Sequence, residues 1–165
     1  MTGLPGDIVL YPVSGCDSWE SRIVGIGQLM FGSGHSHEQF SHAAVLSTKP
    51  GYEWEAKWPR VGHYAIDQTR DYEVRRPRHY DEHHRIKVLA WFQAHRGDLY
   101  DLVCLLTFGL IQLPGAAVCS QAVDLALRFA GARPDREGKL ILSPDALADF
   151  APEVVYIHKG RNHAR

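Results

Sequence analysis

SHAAVL, residues 41–46, places His42 at the head of an apolar run that has the length and composition of a buried strand. VCSQAV, residues 118–123, places Cys119 where a small-residue segment turns into a helix. A thiol at a helix start and an imidazole on a strand are the two halves of a cysteine nucleophile site when the fold brings them together. These stretches predict a strand and a helix that meet at such a site, as in a cysteine hydrolase or acyl-transfer enzyme.

Composition predicts one globular domain over residues 1–165. The chain is 45% hydrophobic and 22% charged, which is typical of a folded domain of this length. A formal charge of −1 gives no reason to expect nucleic acid or an anionic membrane as partner. The first residues show no basic segment followed by an apolar run, so we expect no signal peptide and a cytoplasmic protein.

The order of predicted elements indicates an α+β domain, because strands cluster in the first half of the chain and helices in the second. The core-facing side of the helix over 80–95 is predicted to carry Ile86, Leu89, Ala90 and Gln93. The helix over 120–130 carries a clearer apolar stripe. Strands are predicted over 8–13, 41–47, 52–57, 63–68, 71–76 and 154–158, and helices over 80–95, 99–106 and 120–130, with a short helix within 23–31 and a capped helical turn at 143–147.

One uncharged segment, Leu102–Val118, approaches the length of a membrane span. Gly109, Pro114 and Gly115 interrupt it, so a buried helix followed by an apolar loop is the preferred interpretation. Membrane contact is therefore not expected, although the segment would suit lipid or an apolar substrate.

Cys119 is the predicted nucleophile. Unpaired N–H groups in the first helical turn stabilise a thiolate and can also hold a tetrahedral oxyanion. The alternative is a small buried cysteine, which is a common fate of this residue. Cys16, in a loop, and Cys104, in an apolar helix, are predicted to be structural, and the spacing of the three cysteines suggests neither a disulfide framework nor a thiolate zinc site.

His42 is the predicted general base, oriented by a carboxylate on the neighbouring strand. Glu55 lies on that strand, and a carboxylate at one imidazole nitrogen fixes the tautomer so that the other nitrogen takes the thiol proton. Glu53 shares the same face of the strand, so the sequence leaves the choice between the two open. His42 could equally be a hydrogen-bonded core residue.

Ten histidines raise the question of a metal site, yet none is predicted. His35, His37 and His42 lie close together without helical ligand spacing, and His83 and His84 fall in an exposed first turn. No cofactor is expected either.

Several short motifs occur in an order that resembles YiiX-like proteins, the circularly permuted branch of the NlpC-type, papain-fold cysteine peptidases. In unpermuted relatives the Cys-Ser helix precedes the Gly-Asp strand and the His strand, whereas here it follows them; lecithin:retinol acyltransferase-like enzymes share the permuted order. The motifs are GDIVL at 6–10, SHAAV at 41–45, WEA at 54–56, GDLYD at 97–101, CSQAV at 119–123 and SPDAL at 143–147.

The resemblance implies a papain-like antiparallel sheet packed against helices. It also implies Cys119 as nucleophile, His42 as general base and acid, and Glu55 as the residue that orients the imidazole. The expected substrate is then a peptide or cell-wall-type amide, cleaved through an acyl-thioester. Two departures bear on the substrate: Gln121 stands where the family usually has an acidic residue, and the segment before Cys119 is unusually apolar.

Two other functions remain open alongside the peptidase. A lipid acyltransferase or ester hydrolase of the lecithin:retinol acyltransferase-like type would make use of the apolar segment. A non-catalytic protein, such as a phage or virus accessory protein, would keep the fold for binding or assembly.

Overall fold

The computed structural model describes residues 3–13, 40–101, 104, 115–133 and 143–160. These form an eight-stranded sheet and three helices. The strands are β1 (Ile8–Pro12), β2 (Phe40–Leu46), β3 (Tyr52–Lys57), β4 (Arg60–Ala65), β5 (Tyr72–Arg76), β6 (Leu99–Tyr100), β7 (Ala116–Ala117) and β8 (Glu153–His158), and the helices are α1 (Glu82–Ala94), α2 (Cys119–Ala130) and α3 (Pro144–Phe150).

The sheet runs in the order β7-β6-β4-β3-β2-β1-β5-β8. This arrangement confirms the predicted α+β class. The prediction of an antiparallel sheet is wrong at one edge, because β6 and β7 pair in parallel. Parallel neighbours need a crossover connection, and 15 residues, 101–115, separate these two strands in the sequence. The other pairs of described strands are antiparallel.

The strand that carries His42, β2, lies inside the sheet between β1 and β3. In the β1–β2 ladder Tyr11 stands opposite His42, and the register shifts immediately beyond Tyr11. The chain turns between β2 and β3, with Gly51 in the left-handed region at φ 76°. Beyond it Leu46 pairs with Glu53, so β3 returns beside β2.

The two faces of the sheet bury different sets of side chains. Helix-side core residues include Ile8, Leu10, Ala43, Val45 and Ala56. On the opposite face a second cluster contains Val9, Tyr11, Ala44, Leu46, Ile66, Tyr72 and Val74. Because Trp54 and Ala56 contact the helix-side core, alternation along β3 directs Glu53 and Glu55 to the face of the second cluster.

Helix α2 carries the apolar stripe that the sequence predicts. Ala122, Val123, Ala126 and Leu127 are fully buried, and the helix ends at Gly131, which has φ 75°. A left-handed glycine after the last turn closes the helix through bonds to its final carbonyls. The stripe packs α2 against β2 and β3, and this contact brings the start of the helix to the sheet.

Two helix predictions are corrected. On α1 the buried residues are Val88, Trp91 and Phe92, while Ile86 is 58% exposed and Ala90 and Gln93 are exposed. The aromatic rings bury more apolar area than the predicted face would, and Phe92 stacks on Trp54 of β3. The predicted helix over 99–106 is wrong at its start, because Leu99–Tyr100 extends the sheet beside β4 and β7.

Within the described ranges no helix is both long and apolar enough to cross a bilayer. The short helix predicted within 23–31 lies outside the described residues, and so does most of Leu102–Val118.

A buried ion cluster stabilises α2. Asp124 is 1% exposed, contacts Arg133, and accepts from Arg128 Nη2 at 3.0 Å. We expect Asp124→Asn to lower the free energy of unfolding by about 3 kcal/mol, because it removes a buried carboxylate charge that pairs with two guanidinium groups. Urea denaturation measures the change, with Asp149→Asn, an exposed position on α3, as the control. Equal stability of the two variants would contradict this expectation.

Candidate active site

Cys119 is the first residue of α2 and is 3% exposed. The preceding residue, Val118, is extended, and its backbone N–H donates to Oε1 of Gln121 at 3.2 Å. Gln121 therefore makes one of the two hydrogen bonds of a capping box, the bond from the N-cap backbone N–H to the side chain three residues later. An acidic residue at this position would make the same bond. This arrangement fixes the entry into the helix and places the thiol among the unpaired amides of its first turn.

Cys119 contacts the start of β2 through its sulfur. Burial raises the pKa of this thiol. The charge of His42, a hydrogen bond from it, and hydrogen bonds with the backbone of Ala43 and Ser120 lower the pKa by more than burial raises it. The net pKa therefore lies below the usual value of 9.0. Hydrogen bonds from a side chain and two backbone groups thus favour the thiolate over the thiol more than in an ordinary cysteine.

His42 lies between the sulfur and a carboxylate. Its Nε2 contacts Oε2 of Glu55, which is 4% exposed. Burial lowers the pKa of His42, but Cys119 and Glu55 together raise it well above 6.5. Because Glu55 occupies Nε2, Nδ1 is the ring nitrogen left for the thiol. The imidazole is thus held as an imidazolium between two anions.

Glu55 remains ionised although it is buried. Burial raises its pKa, yet the charge and hydrogen bond of His42 lower it below the ordinary value, with smaller contributions from Lys57 and Arg70. Lys57 Nζ lies 3.8 Å from Glu55 Oε1. Continuing the β2–β3 register sets Glu55 opposite Ala44, diagonal to His42 on the same face, a separation that long side chains bridge.

Glu53, the alternative that the sequence left open, faces a different partner. Its Oε1 accepts from the hydroxyl of Tyr11 at 2.5 Å, and both residues are buried. The structure therefore brings together Cys119, His42 and Glu55, with Glu53 in contact with Tyr11 beside them.

Helix α3 supports the beginning of β2. Ser143 caps this helix by accepting from the N–H of Ala146 at 3.2 Å, which agrees with the predicted capped turn. Asp145, in its first turn, accepts from the N–H of Phe40 at 2.6 Å. The strand is thus held by a buried carboxylate two residues before His42.

The remaining cysteines have different surroundings. Cys104 is 3% exposed, and burial, reinforced by Asp101 and Cys119, raises the pKa of its thiol to about 11. A thiol of that pKa is a poor nucleophile near neutral pH. Cys16 lies outside the described residues.

Within the described part of the chain, no group of three histidine, cysteine, aspartate or glutamate side chains has the geometry of a metal site. His35 and His37 lie outside that part. Asp81 caps α1: its carboxylate accepts from the backbone N–H of His84 at 3.0 Å, and the His84 side chain lies against the same carboxylate.

Sequence reasoning missed two features of this site. Alternation on β3 placed Glu53 on the same face as Glu55, but it gave no sign of the hydrogen bond between Tyr11 and Glu53. The hydrogen bond between the backbone of Ala43 and the Cys119 sulfur depends on how closely α2 approaches β2, and no local pattern encodes that distance.

In comparisons with known proteins, no protein-family model matches this chain and no curated protein gives a significant match.

Proposed function

We propose that this protein is a cysteine hydrolase that cleaves an amide bond of a peptide or cell-wall-type peptide through an acyl-thioester. The observation that carries the proposal is the contact of Cys119, His42 and Glu55, in which the pKa of the thiol is lowered and the pKa of the imidazole is raised. Nucleophilic cysteines need this combination, and a cysteine buried only for packing does not.

In the first half-reaction the Cys119 thiolate attacks the carbonyl carbon of the substrate. The carbonyl oxygen becomes an oxyanion, which the amide groups at the start of α2 stabilise. The imidazolium of His42 then gives its Nδ1 proton to the leaving amine as the carbon–nitrogen bond breaks. The acyl group remains on sulfur, and His42 becomes neutral.

In the second half-reaction neutral His42 takes a proton from water, and the resulting hydroxide attacks the thioester. Collapse of the tetrahedral species expels the Cys119 thiolate and releases the acid, which restores the ion pair. Glu55 keeps Nε2 protonated and oriented throughout, so the same nitrogen, Nδ1, exchanges the proton in both steps.

The proposed fold is the circularly permuted papain-like domain. Two features support it: the nucleophile begins a helix that packs on the sheet, and the strands with His42 and Glu55 precede that helix in the chain. In the unpermuted order the helix would come first.

A lipid acyltransferase or ester hydrolase is the second candidate. The observation that favours it is the uncharged segment Leu102–Val118, which leads directly to Cys119. Turnover of a peptide amide against turnover of a long-chain acyl ester separates the two, since the acyl chain gains affinity only in an apolar site.

Alkylation by iodoacetamide tests the proposal without knowledge of the substrate. We expect Cys119 to be labelled at neutral pH much faster than Cys104, whose pKa is about 11. Peptide mass spectrometry over a time course reports each of the three cysteines separately, and the denatured protein, in which all thiols are exposed, is the control. Equally slow labelling of all three in the folded protein would favour the non-catalytic binding protein.

A further inference from the structure

A second buried carboxylate lies beside the proposed catalytic residues. Glu53 is 3% exposed and lies two residues from Glu55 on the same face of β3. Its Oε1 accepts from the Tyr11 hydroxyl at 2.5 Å. Its Oε2 is buried, and no hydrogen-bond partner for it occurs among the described residues. The mechanism proposed above gives this side chain no role.

These surroundings favour the neutral acid. A buried carboxyl group that has one hydrogen bond and an ionised carboxylate beside it is more stable with its proton than without it. Burial and the charge of Glu55 raise the pKa of Glu53 to about 8, although the Tyr11 hydrogen bond and the charges of His42 and Arg70 oppose the shift.

The charged and titratable groups around Glu53 come from each neighbouring element. Glu55 adjoins it on β3, and Tyr64 stands opposite it on β4. The others are Tyr11 on β1, His42 on β2, Arg70 between β4 and β5, and Tyr72 on β5. The Arg70 guanidinium also stacks over the Tyr11 ring, 4.5 Å from its centroid.

We propose that Glu53 is a positioning residue: as a neutral acid held by Tyr11, it leaves Glu55 as the single carboxylate charge on the His42 imidazole, and loss of its proton produces an alkaline transition in the reactivity of Cys119. This proposal rests on the proposed function, because it concerns the same thiolate.

The coupling follows from Coulomb interactions among buried groups. When Glu53 ionises, a second carboxylate charge acts on His42, and the pKa values of both the imidazolium and the Cys119 thiol rise. A more basic thiolate attacks a neutral alkylating agent faster, by about threefold for each pKa unit. An imidazolium of higher pKa is a weaker acid towards a leaving amine, so amide turnover should fall through the same pH range.

The first experiment locates the proton. In protein labelled with ¹³C at glutamate side chains, we expect one carboxyl resonance to titrate near pH 8 and to disappear in Glu53→Gln. Glutamine keeps the acceptor for the Tyr11 hydroxyl and is always neutral. If the Glu53 resonance titrates at an ordinary glutamate pKa, the proposal is overturned.

The second experiment measures the iodoacetamide reaction of Cys119 as a function of pH. In the wild-type protein we expect a rise in rate through the Glu53 titration, and in Glu53→Gln its loss. Tyr11→Phe removes a donor that lowers the pKa of Glu53, so the rise should move to higher pH. Glu73→Gln, another buried glutamate, paired with Arg75, is the matched control and should keep the wild-type profile.

These outcomes separate the two proposals. If Cys119 reacts rapidly at neutral pH but Glu53→Gln keeps the alkaline rise, the positioning role is wrong and the hydrolase remains supported. If Cys119 is unreactive while Glu53 titrates near pH 8, the hydrolase is wrong. Should Glu53→Gln fail to fold, Tyr11→Phe decides, because an unshifted rise in that variant contradicts the positioning role.

Discussion

Cys119→Ala is expected to lower the turnover of an amide or ester substrate by at least about 10⁴-fold, because the covalent step has no other nucleophile. Folding should be retained, since alanine fits the site and leaves the capping interaction of Gln121 in place. The measurement pairs steady-state turnover with mass spectrometry of the intact protein, in which the acyl adduct should be seen on the wild type alone.

Cys104→Ala is the matched control for this substitution. Cys104 is as buried as Cys119, but the pKa of its thiol is raised where that of Cys119 is lowered. We expect Cys104→Ala to keep its turnover. A Cys119→Ala variant that unfolds would show that the residue serves packing, and one that keeps full turnover would end the assignment of Cys119 as nucleophile.

Glu55→Gln is expected to lower kcat/KM on the order of 10²- to 10⁴-fold. The amide preserves the size of the side chain but carries no charge, so it neither stabilises the imidazolium nor enforces the tautomer in which Nε2 holds a proton. Because the imidazolium in turn stabilises the thiolate, the pKa of Cys119 should rise in this variant. Turnover and the pH dependence of alkylation measure the two effects.

Two other glutamate substitutions make this result specific. Glu73→Gln changes a buried carboxylate that pairs with Arg75 and should have little effect. Glu53→Gln should keep more turnover at neutral pH than Glu55→Gln, since only Glu55 contacts the imidazole. A large loss in Glu53→Gln with none in Glu55→Gln would reverse the assignment of the third residue.

The sequence predicted most of the elements that carry the proposed site. β1, β2 and β3 follow from short apolar or alternating runs bounded by turn residues, and β3 has the predicted bounds, Tyr52–Lys57. The stripe on α2 follows from helical periodicity. These elements are determined by local signals that agree with the final packing.

Elements determined by distant contacts were predicted less well. Leu99–Tyr100 joins the sheet because it pairs with the backbones of β4 and β7. Helical periodicity carries no information about such distant partners. The buried face of α1 is set by Trp91 and Phe92, whose rings pack on another element. The choice between Glu53 and Glu55 depended on the offset of β2 from β3, which the turn fixes and the alternation does not.

Direct titration of the Cys119 thiolate tests the central claim. The ultraviolet absorbance of the thiolate is followed against pH in the wild-type protein, with Cys119→Ala subtracted as the blank. The Cys119–His42–Glu55 arrangement predicts a thiol whose pKa lies below the usual value of 9.0, and it predicts that His42→Ala raises this pKa. A thiol that titrates at or above 9.0 in the wild type, as Cys104 should, would contradict it.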